Sequence, residues 1–166
     1  MKQLVPVSLK VNGELYEVLI PPWRTLLEAL RETLGLTGAK RSCQEGQCGA
    51  CTVLLDGRPI NSCLYLAIEA QGREVLTIEG LTRASREAEE GLHPIQQAFI
   101  EHGGIQCGFC TPGFILATKA LLDENPDPTE DEVRRATVGH LCRCTGYFQI
   151  SEAIMAAVQA MKGARA

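Results

Sequence analysis

No run of about 18 consecutive apolar residues occurs in the 166-residue sequence, so no transmembrane helix is expected. The first twenty residues lack an apolar core followed by a small-residue cleavage site, and they do not read as a signal peptide. Nothing therefore points to an oxidising compartment, and the expected location is the cytoplasm. A basic excess is also missing. Lys and Arg number 16 against 20 Asp and Glu, a net charge of -4, which removes the electrostatic case for nucleic-acid binding. Tandem repeats, low-complexity segments and a glycine-rich dinucleotide fingerprint are absent. An apolar content of 45% with 22% charged residues excludes a disordered or collagen-like chain. The length suits one domain or two small ones. Histidine is scarce, at three residues, whereas cysteine is abundant, at eight. That count allows disulfides, metal ligation or redox chemistry, and spacing must decide among them.

Residues 5 to 20 alternate around Asn12-Gly13, a strong hairpin signal. Pro21 and Pro22 break the strand. Thr25 and Glu28 form a capping box ahead of Leu26, Leu27, Leu30 and Leu34 at helical spacing. A second hairpin is expected from Thr52–Leu55 through Asp56-Gly57 to Pro59–Cys63, and a short strand over Val75–Ile78. Residues 1–80 thus read as a β-rich unit with one helix. The polar stretch 81–92 reads as a linker, and 93–166 as an all-helical unit. Its four expected helices start at His93, after Thr111-Pro112, after Thr129 with Glu132, and after Ser151. The fold class is α+β.

The cysteines divide into two quartets. Cys43-x4-Cys48-x2-Cys51, with Cys63 following after eleven residues, has the plant-type [2Fe-2S] spacing. Three ligands must come from one loop, where Gly46 and Gly49 permit tight backbone and leave room for sulfide. Zinc knuckles favour C-x2-C pairs on two separate turns and fit this pattern poorly. The second quartet is Cys107-x2-Cys110 and, 31 residues later, Cys142-x-Cys144. Alone it is less specific, since C-x2-C serves zinc and thioredoxin-like sites too. It again supplies four thiolates, leaves no cysteine over, and sits just before two helix starts whose N–H groups favour an anionic cluster.

Together CQEGQCGACTV, QCGFCTPG and HLCRCTGY resemble the iron–sulfur small subunit of the molybdenum hydroxylases, the xanthine dehydrogenase, aldehyde oxidoreductase and carbon monoxide dehydrogenase group. The likeness runs over nearly the whole chain. It implies an N-terminal β-grasp, plant-ferredoxin-like domain and a C-terminal four-helix-bundle domain, each with one [2Fe-2S] cluster. It implies partners as well: a large subunit with molybdopterin, held as a dinucleotide, and a medium subunit with FAD, assembled as a dimer of heterotrimers. Electrons would pass from molybdopterin through the helical-domain cluster, then the ferredoxin-like cluster, to FAD. The substrate site would lie on another chain. Gln106, just before Cys107, and Cys144 would contact the molybdopterin, and Glu45, Gly46 and Gln47 would face the flavin subunit.

Other residues read more plainly. His93 suits a helix cap, His102 a helix end, and His140 is not needed as a ligand when four thiolates are present. Trp23 is expected to pack. Phe109, Tyr147 and Phe148 are expected to exclude water from the clusters. The competing readings are a zinc-binding scaffold module and a free-standing ferredoxin.

Overall fold

Two tight turns with left-handed backbone shape the first half. In the computed structural model, which describes residues 3–87 and 91–163, Asn12 and Gly13 have φ of 54° and 81°. Positive φ at both central residues defines the type I′ turn that matches strand twist. It joins β1 (Val5–Val11) to β2 (Glu14–Ile20), antiparallel with Val11 opposite Glu14. Asp56 and Gly57 repeat the device between β3 (Thr52–Leu55) and β4 (Arg58–Asn61). β5 (Glu74–Leu76) then enters between the hairpins, parallel to β1 and antiparallel to β3. The sheet order is β2-β1-β5-β3-β4, a mixed sheet.

One face of this sheet is covered by α1 (Leu26–Glu28), which runs on as a wider turn over Ala29–Thr33. The Thr25–Glu28 capping box forms as expected: Glu28 N–H donates to Thr25 Oγ1 at 3.2 Å, and Thr25 N–H to Glu28 Oε2 at 3.1 Å. Leu26, Leu27 and Leu30 are fully buried with Val7, Leu9 and Val11. Each such side chain contributes roughly 1.5–3 kcal/mol on burial.

The second half is helical. It contains α2 (Ile78–Glu87), α3 (Pro94–Glu101), α4 (Thr111–Glu124), α5 (Glu130–Thr137) and α6 (Phe148–Gly163). Ile95, Phe99, Phe114, Ile150, Ile154 and Val158 form its core. Among the described residues no helix is long and apolar enough to cross a membrane.

Several local expectations shift. The stretch read as a linker from residue 81 is helical through Glu87, while 88–90 lie outside the described residues. α2 is held at its start rather than by a long apolar stripe. Leu81 is buried in the helical core, and Thr82 Oγ1 accepts from Gln96 Nε2 at 2.7 Å. Asn12 reaches across from the first hairpin, accepting from Thr77 N–H at 2.8 Å and donating to Thr77 Oγ1 at 3.0 Å. A periodicity carried by Ile78 and Leu81 alone is too short to read from sequence. Ile78 opens this helix instead of closing β5. α4 begins at Thr111 itself, with Cys110 in the cap position. α6 begins three residues before Ser151, because Thr145 Oγ1 accepts from Tyr147 N–H at 3.2 Å and sets the turn. Trp23 does not pack; it is 59% exposed.

Candidate metal centres

The first quartet is built by a closed loop and a hairpin. Lys40 N–H donates to Ala50 O at 2.9 Å and closes the loop that carries Cys43, Cys48 and Cys51. Within it Gln44, Gly46 and Gly49 are left-handed. Asn61 Nδ2 donates to Gly46 O at 3.0 Å. The β3–β4 pairing brings Cys63 back beside Cys51, with Ser62 Oγ donating to Cys51 O at 2.6 Å. The thiols fall into neighbouring pairs, Cys43 with Cys48 and Cys51 with Cys63.

Their proton affinities differ within the loop. Backbone N–H groups, Glu45 first, pull the Cys43 thiol down to about 6; Glu45 N lies 3.4 Å from its sulfur. Burial pushes Cys51 up to about 11, against the Cys63 backbone N–H, which lowers it. Cys43 thus gives up its proton more readily than an ordinary cysteine and Cys51 less readily.

The second quartet converges from two separated segments. Cys144 Sγ lies 3.5 Å from Cys107 Sγ, and Cys110 adjoins Cys142. Phe109 N–H and the Cys144 thiol lower the Cys107 pKa, and the same contact raises that of Cys144. Burial pushes Cys110 up to about 12. At Cys142 burial acts upward, but hydrogen bonds from the Thr145 hydroxyl and N–H bring the net shift down. Cys110 caps α4, so the N–H groups of that helix open toward the quartet. Cys142 and Cys144 precede α6 by a short turn.

All eight cysteines are free thiols. Among the described residues no three Cys, His, Asp or Glu side chains converge on one point suited to a metal ion. Pairs are what a binuclear cluster requires, two thiolates on each iron, whereas structural zinc takes four ligands on one ion. Both quartets therefore fit [2Fe-2S] ligation by donor type, number and pairing.

The quartets also adjoin. Leu141 N–H donates to Cys48 O at 3.0 Å, so the residue before Cys142 is hydrogen-bonded to a residue of the first loop. A cavity of about 390 Å³ is lined by Cys48 and Ala50 on one side and by all four cysteines of the second quartet on the other.

Residues 9–77 match the family described as "2Fe-2S iron-sulfur cluster binding domain", and residues 77–155 match "[2Fe-2S] binding domain". The chain is 47% identical over 156 residues to the nicotinate dehydrogenase small FeS subunit of Eubacterium barkeri, covering 93% of this chain and 96% of that one. It is 43% identical over 155 residues to the xanthine dehydrogenase iron-sulfur-binding subunit of Escherichia coli O157:H7, covering 92% and 94%. This chain is an iron–sulfur subunit of the molybdenum hydroxylase family. Among solved structures, quinoline 2-oxidoreductase from Pseudomonas putida 86 superposes with a TM-score of 0.89 and 43% identity over 99% of both chains. As an iron–sulfur subunit it serves a multi-subunit molybdenum oxidoreductase, with the substrate site on another subunit.

Other sequence candidates are placed as follows. Gln106 is exposed beside Cys107, and Cys144 is exposed as well. Glu45 and Gln47 are exposed in the first loop, with Gly46 partly covered. His93 caps α3, its Nδ1 accepting from Ile95 N–H at 3.3 Å, and His102 ends that helix. Phe109, Tyr147 and Phe148 are exposed rather than sealing the sulfurs from water. Gly46 and Gly49 do not leave open space: a Cβ would meet Leu64 Cδ1 at 2.5 Å in one and His140 Cδ2 at 2.5 Å in the other. The sequence reading gave no role to His140, Thr52 or Gly113, which meet between the quartets. No local pattern marks them, because they are joined only by tertiary contacts between distant segments.

Proposed function

We propose that this chain holds two [2Fe-2S] clusters, one on Cys43, Cys48, Cys51 and Cys63 and one on Cys107, Cys110, Cys142 and Cys144. It carries electrons between a large molybdopterin subunit and a medium FAD subunit. The observation that carries this reading is the adjacency of two thiol quartets across the Leu141–Cys48 hydrogen bond. In this family molybdopterin and FAD sit on other subunits. Each cluster, when bound, takes up and passes on one electron.

The residues of the chain supply the rest. Cys107 and Cys144 open to the surface and form the entry side, with Gln106 beside them to contact the molybdopterin. Phe109, Leu141 and Tyr147 line the same cavity as these cysteines and are themselves exposed. Together with Phe148 they offer an apolar surface suited to burial against a larger subunit. Glu45, Gly46 and Gln47 lie on the first loop and form the exit side toward FAD. The sheet unit corresponds to a β-grasp ferredoxin-like domain over 1–80. The four helices of 93–166 correspond to a four-helix bundle. Assembly as a cytoplasmic dimer of heterotrimers completes the reading.

The test is metal analysis, visible spectroscopy and copurification from cells expressing the neighbouring genes. The expected protein is brown, with about four iron and four sulfide per chain, since each cluster holds two of each. A colourless protein with about two zinc ions per chain would establish the scaffold reading instead. A brown monomer without larger partners would establish a free-standing ferredoxin.

A further inference from the structure

His140 is buried to 8% exposure in the contact between the two halves. Its Nε2 lies 3.0 Å from Thr52 Oγ1 on the first residue of β3. The Thr52 hydroxyl has one proton, and it is already donated to Gly49 O at 2.7 Å. Thr52 Oγ1 therefore accepts from the His140 Nε2–H. The ring leans on Phe114 of α4, with centroids 5.1 Å apart. Two glycines make this approach possible. A Cβ on Gly49 would sit 2.5 Å from the imidazole, and one on Gly113 would sit 2.4 Å from Gly49 O. Gly49 follows Cys48, Thr52 follows Cys51, Gly113 lies three residues after Cys110, and His140 lies two before Cys142. Ligand-bearing segments of both quartets thus lock together at one point.

The geometry points to His140 as a positioning residue that sets the separation of the two clusters by hooking Thr52. This inference rests on the two-cluster reading above. The hook holds the chain so that Leu141, next in sequence, meets Cys48 O. His140 ligates nothing and moves no proton; its action is through the loop it anchors. Hydrogen-bonded supports of this kind orient ligands and tune a centre without touching it.

The experiment uses the cluster-loaded chain, together with any larger chains that copurify with it, fully reduced with dithionite. Electron paramagnetic resonance of two reduced clusters shows mutual splitting that falls as the inverse cube of their separation. His140→Leu and Thr52→Val remove the hook, and His140→Gln and Thr52→Ser retain a donor or hydroxyl. The expected result is two intact cluster signals in all four variants, with the splitting weakened or lost in the first two and restored in the second two. Faster hydrogen exchange at the Leu141 amide accompanies the loss. Unchanged splitting in both His140→Leu and Thr52→Val overturns the inference. Loss of a cluster signal in both also overturns it, by assigning the joint to cluster retention instead. A wild-type chain with a single signal refutes the two-cluster reading beneath it, which is a separate and distinguishable failure.

Discussion

Cysteines within each quartet sit in contrasting electrostatic settings. Cys43 and Cys107 are lowered by backbone N–H groups, while Cys51 and Cys110 are raised by burial. In the second quartet each neighbouring pair joins a lowered thiol to a raised one, Cys107 to Cys144 and Cys142 to Cys110. Replacing Cys48 by Ser is expected to abolish the reduced-state magnetic signal of one cluster and spare the other. Cys107→Ser is expected to abolish the second signal and interrupt electron flow from molybdopterin. Equal loss of both signals in either variant would contradict two separate centres. The cysteine count and spacing were legible in the sequence, because three cysteines of the first quartet share one short loop. That Cys107 lies against Cys144 and Cys110 against Cys142 was not, because 31 residues, α4 and α5 among them, intervene between the C-x2-C and C-x-C pairs.

Elements begin where short polar signals place them. The Thr129–Glu132 box forms at α5, with Glu132 N–H donating to Thr129 Oγ1 at 3.3 Å and Thr129 N–H to Glu132 Oε2 at 2.7 Å. Thr129→Ala is expected to cost about 1 kcal/mol, read as a lower urea midpoint. The Thr129 N–H and hydroxyl hold the Glu132 carboxyl below the usual carboxylate range. Its folded pKa lies below the unfolded one, so its contribution is full above the unfolded value of about 4.3 and fades as pH falls through the folded value. The stability gap between wild type and Glu132→Gln, measured by chemical denaturation, should therefore be constant from pH 7 to pH ~5 and shrink below ~4. A gap that widens in acid would reverse the assigned sign. Asn12 works at longer range. Asn12→Ala removes the hydrogen bonds to the Thr77 N–H and hydroxyl and leaves a residue ill suited to φ of 54°. The expected loss is about 1–3 kcal/mol, with the Thr77 amide exchanging faster. This bond was invisible beforehand, since 65 residues separate its ends.

At the scale of the whole molecule the chain presents two faces that differ. Exposed Phe109, Leu141, Tyr147 and Phe148 gather near the second quartet, and exposed polar residues Glu45 and Gln47 lie on the first loop. Phe109→Ser combined with Phe148→Ser is expected to reduce recovery of the large subunit in copurification by severalfold while iron content per small chain stays constant. Full recovery would remove this surface from the interface.

The sequence by itself determined the two hairpins, the capping boxes, the two cysteine quartets and the family. Each rests on residues within a short window: Asn-Gly and Asp-Gly tolerate left-handed backbone, Thr and Glu three apart satisfy free N–H groups, and thiol spacing follows from wrapping one cluster. Tertiary structure alone decided that α2 replaces a linker, that the aromatic residues near the clusters face outward, and that His140 meets Thr52 between the quartets. Those outcomes depend on which surfaces pack together after folding. No short window of sequence records that a buried imidazole on one half will fit against a glycine on the other.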